Sequence, residues 1–183
     1  MKLFVVLLGG RIDGCTIELH DVTFIVGDSL EEMYPSLVNK WFGNKERLHI
    51  DSSIELNYVD HHGITLNKTK PESHEKKLFF VNFGGYKADF FGELHDINFY
   101  VAATKADAIA KAKKELCVGL LQQHCDDNLI IDDILELEQV GGYYIHLNYI
   151  DNPSPLKINS GYIKLSRPEI LEKAPLLETE ASL

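Results

Sequence analysis

Residues 2–8 open the chain with an apolar run closed by Gly9-Gly10, the pattern of a buried strand ending in a turn. Residues 15–26, rich in Thr, Ile, Val and Phe, read as a second strand. In DSLEEMYPSLVNKWFG, Ser29 and Glu32 have the spacing of a capping box. Leu30, Met33, Tyr34, Leu37, Val38, Trp41 and Phe42 then hold one helical face until Gly43 stops it. Pro35 in mid-helix costs roughly 3 kcal/mol, so the spacing predicts a kink there or a separate first turn over 30–34. Beyond it, SIELNYV-DHHG-ITLN reads as a hairpin.

The same succession then recurs. A shift of 75 residues lays 2–26 on 77–101 without a gap, with 12 of 25 positions identical. A shift of 81 lays 48–67 on 129–148, with 9 of 20 identical, so the second copy carries six extra residues near Leu120–Asp127. Internal repetition dictates architecture. The second helix, KADAIAKAKKEL, begins after Thr104 with Asp107 at capping-box spacing, and Gly141-Gly142 marks the second hairpin turn. Each repeat is expected to be ββαββ, giving an α+β fold of mostly antiparallel sheets, each covered by one helix. The expected organisation is a first repeat over 1–67, a charged linker over 68–76, a second repeat over 77–150 and a partly disordered C-terminal extension over 151–183. Within that extension GYIKL reads as an edge strand and the chain is expected to be loose from about Arg167. Neither repeat alone would bury much surface, which favours a pseudo-two-fold dimer made within one chain.

Composition narrows the partners. A net charge of −10, with no basic run longer than Lys76-Lys77 or Lys113-Lys114, disfavours nucleic acid and anionic membrane surfaces. The start MKLFVVLL imitates a secretory leader, but its pattern recurs at 77–83 inside the chain, so a strand used twice is the simpler reading. No stretch approaches the ~20 apolar residues of a membrane span. Cys15, Cys117 and Cys125 lack paired spacing and read as free thiols in a reducing cytoplasm.

Candidate chemistry gathers at Glu18-Leu19-His20-Asp21 and its copy Glu93-Leu94-His95-Asp96. Alternation slips by one position at His20-Asp21 and again at His95-Asp96, which predicts a β-bulge or a dividing turn at both. In the structural reading, Asp21 and Asp96 satisfy backbone N–H groups at the bulge while His20 and His95 brace it. In a second reading, Glu18, His20, Glu93 and His95 line a ligand or partner surface. In a third, those four meet across the pseudo-two-fold as a two-His, two-carboxylate set suited to zinc, manganese or iron, or a His acts as general base with Asp21 or Asp96 nearby. No Ser or Cys nucleophile motif and no phosphate-binding loop accompany them. His49 falls opposite Ile130 in the copy, His61-His62 opposite Gly142-Tyr143, and His146 opposite Thr65, so these are set aside. Asp51 and Asp132 read as caps or turns and Glu55 and Glu136 as outward strand positions; all four are second-tier candidates.

The frame KLFxVxxGG, ELHDxxFxV, helix, IDxxxEL resembles the bacterial DUF1543 family of domains of unknown function, which occurs in one or two copies per chain. The resemblance covers residues 2–67 and 77–148. It implies a small intracellular bacterial protein and carries no activity or cofactor. The leading functional reading is a non-catalytic binding module with a protein partner or self-association. The alternative is a metal-dependent or acid/base hydrolase using the duplicated Glu-x-His-Asp sets.

Overall fold

A computed structural model describes residues 1–72, 75–116, 118, 122–123, 133–151 and 156–174. The fold is α+β, with mostly antiparallel sheets and few helices. The chain divides into two compact units, Met1–Asn57 with Ser154–Leu183, and Tyr58–Pro153. The boundary after Asn57 falls inside the first sequence repeat. Among the described residues no helix is long and apolar enough to cross a membrane.

The first unit is built on β1 (Lys2–Arg11), whose neighbours are β2 (Leu19–Gly27) and β3 (Asn44–Glu55). The edge strand β12 (Ile158–Lys164) adds outside β3, as GYIKL foretold, and all pairings are antiparallel. The helical segment resolves as a separate turn. A 3-10 turn, Glu31–Met33, precedes α1 (Tyr34–Lys40), so Pro35 falls in the first helical turn where its missing N–H has no partner to lose. The Glu32 N–H donates to Ser29 Oγ at 3.4 Å, the forward half of the capping box. Tyr34, Leu37, Val38 and Trp41 cover Val6, Leu8, Leu48 and Ile50 on one sheet face. Fully burying such side chains contributes about 1.5–3 kcal/mol each.

After Arg167 the described residues, through Ala174, are packed. A short helix, α3 (Pro168–Leu171), follows, and Ile170 and Ala174 are buried in the same core, with Asn39 Nδ2 donating to the Ala174 carbonyl. Apolar side chains at 170, 171 and 174 recur at helical spacing, which the prolines of the tail masked.

In the second unit, β6 (Lys77–Tyr86) pairs with β7 (Leu94–Ala102), β8 (Gln122–Gln123) and β9 (Asp133–Glu136). Helix α2 (Lys105–Glu115) packs Ala108 and Ala112 over Phe79, Val81 and Tyr100. Its Thr104 cap accepts from the Asp107 N–H and meets the Asp107 carboxylate in return, as the spacing predicts. The remaining strands, β4 (Tyr58–Val59), β5 (His62–Asn67), β10 (Gln139–Val140) and β11 (Tyr143–Tyr149), form a sheet of order β10-β11-β5-β4. Its two hairpins turn at Asp60-His61 (φ 47° and 59°) and Gly141-Gly142 (φ 56° and 72°), the doubly left-handed type I′ pattern.

Each predicted hairpin therefore begins later than its apolar run. Ile54-Glu55 stay on β1 and Ile134–Glu136 stay on β6, because the Leu56 N–H donates to the Leu3 carbonyl and Leu137 N–H to Leu78 in the same way. Outward-facing Glu55 and Glu136 make matching ion pairs, each at 2.9 Å, to Lys2 and Lys77. In the hairpin sheet Thr65 lies opposite His146, and these two are the same position in the two repeats, so β5 and β11 pair about a local two-fold axis. Asp60, at the first turn, accepts from the Val101 N–H and from Lys111 Nζ, both at 2.9 Å.

Candidate functional site

No bulge lies at His20-Asp21. The β1–β2 register runs unbroken from Lys2–Gly27 to Gly10–Leu19, and β6–β7 is equally regular. The phase slip arises because Phe24, Ile25 and Val26 are buried in succession, so both faces of that end are covered and alternation stops being the signal. The bulge sits two strands away, on β3. Leu7 pairs Ser52 and Leu8 pairs Ile50, which leaves Asp51 as the extra residue.

This geometry gathers four side chains over one glycine. Gly9 on β1 pairs His20 on one side and His49 on the other, so both imidazoles rise from the same sheet face. Glu18 precedes His20 by two residues, and Asp51 follows His49 by two, which keeps both carboxylates on that face. A methyl group at Gly9 would lie 2.5 Å from His49 Nε2, 2.7 Å from Asp51 Oδ2 and 2.9 Å from Glu18 Oε1. Only glycine leaves room there.

Each imidazole meets both acids. His49 Nε2 lies 2.9 Å from Glu18 Oε1 and 3.4 Å from Asp51 Oδ1. His20 Nε2 lies 3.2 Å from Asp51 Oδ2 and 3.4 Å from Glu18 Oε1. Ligand atoms of Glu18, His20 and Asp51 all fall within 4.8 Å of one another. His49 is 3% exposed, with Tyr162 of β12 stacked on its ring, whereas the other three reach solvent.

The protonation pattern of His49 follows from its partners. Its Nδ1 lies 2.8 Å from the Arg47 carbonyl, an acceptor only, so Nδ1 carries a hydrogen. In the neutral ring Nε2 then holds a lone pair aimed at two carboxylates, which is repulsive until a positive charge enters. A cation bound between the groups supplies one. A backbone carbonyl that orients the distal nitrogen is the usual outer support of a metal-ligating His. A tetrahedral ion with bonds of ~2.0–2.2 Å holds its donors roughly 3.3–3.6 Å apart, and the four His–carboxylate spacings run from 2.9 to 3.4 Å.

The remaining sequence candidates divide. Asp21 turns away from the set and accepts from the Val22 N–H at 2.9 Å, with burial pushing its carboxyl up and that hydrogen bond opposing. The copied His95 lies 3.9 Å from Glu93 and 3.5 Å from Asn82, and Asp96 pairs Phe83 on β6. Ile130 and Asp132, which match His49 and Asp51, lie outside the described residues. His49 and Asp51 are what the sequence reading underrated. Their signal was present: Glu18-x-His20 and His49-x-Asp51 are both acid–His pairs at the i, i+2 spacing of one strand face.

No curated protein matches the chain. Among solved structures, the protein Il1583 from Idiomarina loihiensis is 36% identical with a TM-score of 0.68, over 90% of this chain and 97% of that one. The family model of Domain of Unknown Function (DUF1543) matches twice, over residues 15–66 and 91–147. The first match spans all four converging side chains and the second spans Glu93 and His95. The chain belongs to the DUF1543 family and carries two copies of its domain.

Proposed function

We propose that this protein binds one divalent transition-metal ion through Glu18, His20, His49 and Asp51. The observation that carries the reading is the pair of imidazole Nε2 atoms set between two carboxylates, one ring having its other nitrogen committed to the Arg47 carbonyl. Two carboxylates neutralise a divalent charge, and two imidazoles favour zinc, iron or manganese over calcium or magnesium. The second copy retains Glu93, His95 and Asp132 but has Ile130 where His49 stands, which supports a single ion per chain. Calorimetric titration with Zn2+, followed by metal analysis after dialysis, tests this. One equivalent bound by the full chain and lost in His49→Ala supports the reading; no binding, or undiminished binding in that variant, overturns it.

The facing positions Thr65 and His146 support the reading of the chain as a fused dimer of two ββαββ repeats. A second functional reading, a protein-interaction module, is favoured by Phe90 and Phe91, adjacent and exposed in the loop between β6 and β7.

A further inference from the structure

The cation site is covered on one side by the C-terminal strand β12, which lies beyond both family matches. Tyr162 on that strand is 66% exposed, yet its ring centroid lies 4.3 Å from that of His49 with the planes 29° apart. The tyrosine thus covers one face of the buried histidine ring. Register adds a second link. Ser160 pairs Ser52 and Ile163 pairs Ile50, so Gly161 and Tyr162 together span the single bulged residue Asp51. Gly161, at φ 152°, supplies the turn that lets them do so. The bulge that aims Asp51 is therefore framed by β1 on one side and β12 on the other.

The two ends of β12 are held unequally. Beyond it, Leu165 is fully buried and its N–H donates to the Leu48 carbonyl at 3.0 Å. Residues 158–162 are exposed along the sheet edge. A strand anchored at one end, with few buried contacts at the other, opens at low free-energy cost.

Resting on the proposed metal reading, we infer that Tyr162 is a positioning residue of the cation site and that β12 is a strap whose docking is linked to the ion. The docked strap fixes the His49 ring and the Asp51 bulge, and its release exposes His49 so that the ion can leave. Linkage is reciprocal: an ion that binds better under the docked strap holds the strap down.

The test uses the full chain with Zn2+ as the probe. Hydrogen exchange across residues 158–163 is measured with and without zinc, beside zinc affinity for the wild type, Tyr162→Ala and Tyr162→Phe. Zinc is expected to slow exchange in those amides. Tyr162→Ala is expected to weaken zinc binding by about 10–100-fold, the range for lost outer support, while Tyr162→Phe keeps the stack and the affinity. Zinc binding with unchanged exchange in β12, or wild-type affinity in Tyr162→Ala, overturns the strap and leaves the site standing. No zinc binding by the wild type overturns both. The exchange measurement on the wild type does not depend on whether Tyr162→Ala folds.

Discussion

His49 presents Nε2 to Glu18 Oε1 at 2.9 Å while its Nδ1 is tied to the Arg47 carbonyl, so a ring 3% exposed faces acid with its only uncommitted nitrogen. Ligand binding to the folded state alone adds about 2.7 kcal/mol at a hundred-fold excess over Kd. Zinc at that excess is expected to raise unfolding free energy by about that amount. In His20→Ala or His49→Ala the increment should vanish. Urea unfolding with and without zinc measures it.

Gly9→Ala is expected to abolish the zinc increment and to destabilise the metal-free chain as well. Its methyl has nowhere to go among His49, Asp51 and Glu18, and overpacking of this kind typically costs about 1–3 kcal/mol. A Gly9→Ala protein that binds zinc with wild-type affinity would show the four groups do not close over that position.

Asp60 joins the first repeat's hairpin to strand and helix of the second, accepting from Val101 and Lys111. Its side chain is partly exposed, so the Lys111 pair contributes little and the backbone bond more. Asp60→Ala should lower stability by about 1–2 kcal/mol, read as a drop in urea midpoint at constant m-value.

Tyr100 is buried against α2 with its hydroxyl donating to Glu115, and burial first, then the Glu115 charge, raises its pKa above the ordinary tyrosine value. Because the folded pKa is the higher, this group's contribution is fully present below about pH 10 and is lost as pH rises toward the folded value. Alkaline destabilisation should therefore be shallower in Tyr100→Phe, checked by unfolding midpoints across pH 9–12.

Much of the fold was legible because it rests on local rules. The Gly141-Gly142 turn, the Thr104 cap and the repeat itself need only spacing, and the family model bears out the two copies. Gly9-Gly10, read as the turn that closes the first strand, instead lies inside β1 and pairs with His20 and Leu19, as Gly84-Gly85 lies inside β6. The site was half legible. Glu18 and His20 announce themselves by their copy, but His49 joins them only through the β1–β3 register, which pairs residues 40 apart, and its lack of a counterpart at Ile130 argued against it. The Asp51 bulge could not be read at all, since it is imposed by two neighbouring strands and not by its own sequence. Likewise Tyr162 comes from beyond the repeats, so no internal comparison points to it.

The pairing of Thr65 with His146 has an evolutionary corollary. A strand that matches its own copy in antiparallel register is palindromic in its bonding, so a chain with one copy could complete the same sheet with a second molecule. If the chain is such a fused dimer, as proposed above, a tether takes the place of that encounter, with an effective concentration set by its length, commonly millimolar for short linkers. Once association is guaranteed, the halves no longer need to remain interchangeable. Ile130 in place of a histidine is the kind of divergence such a tether permits.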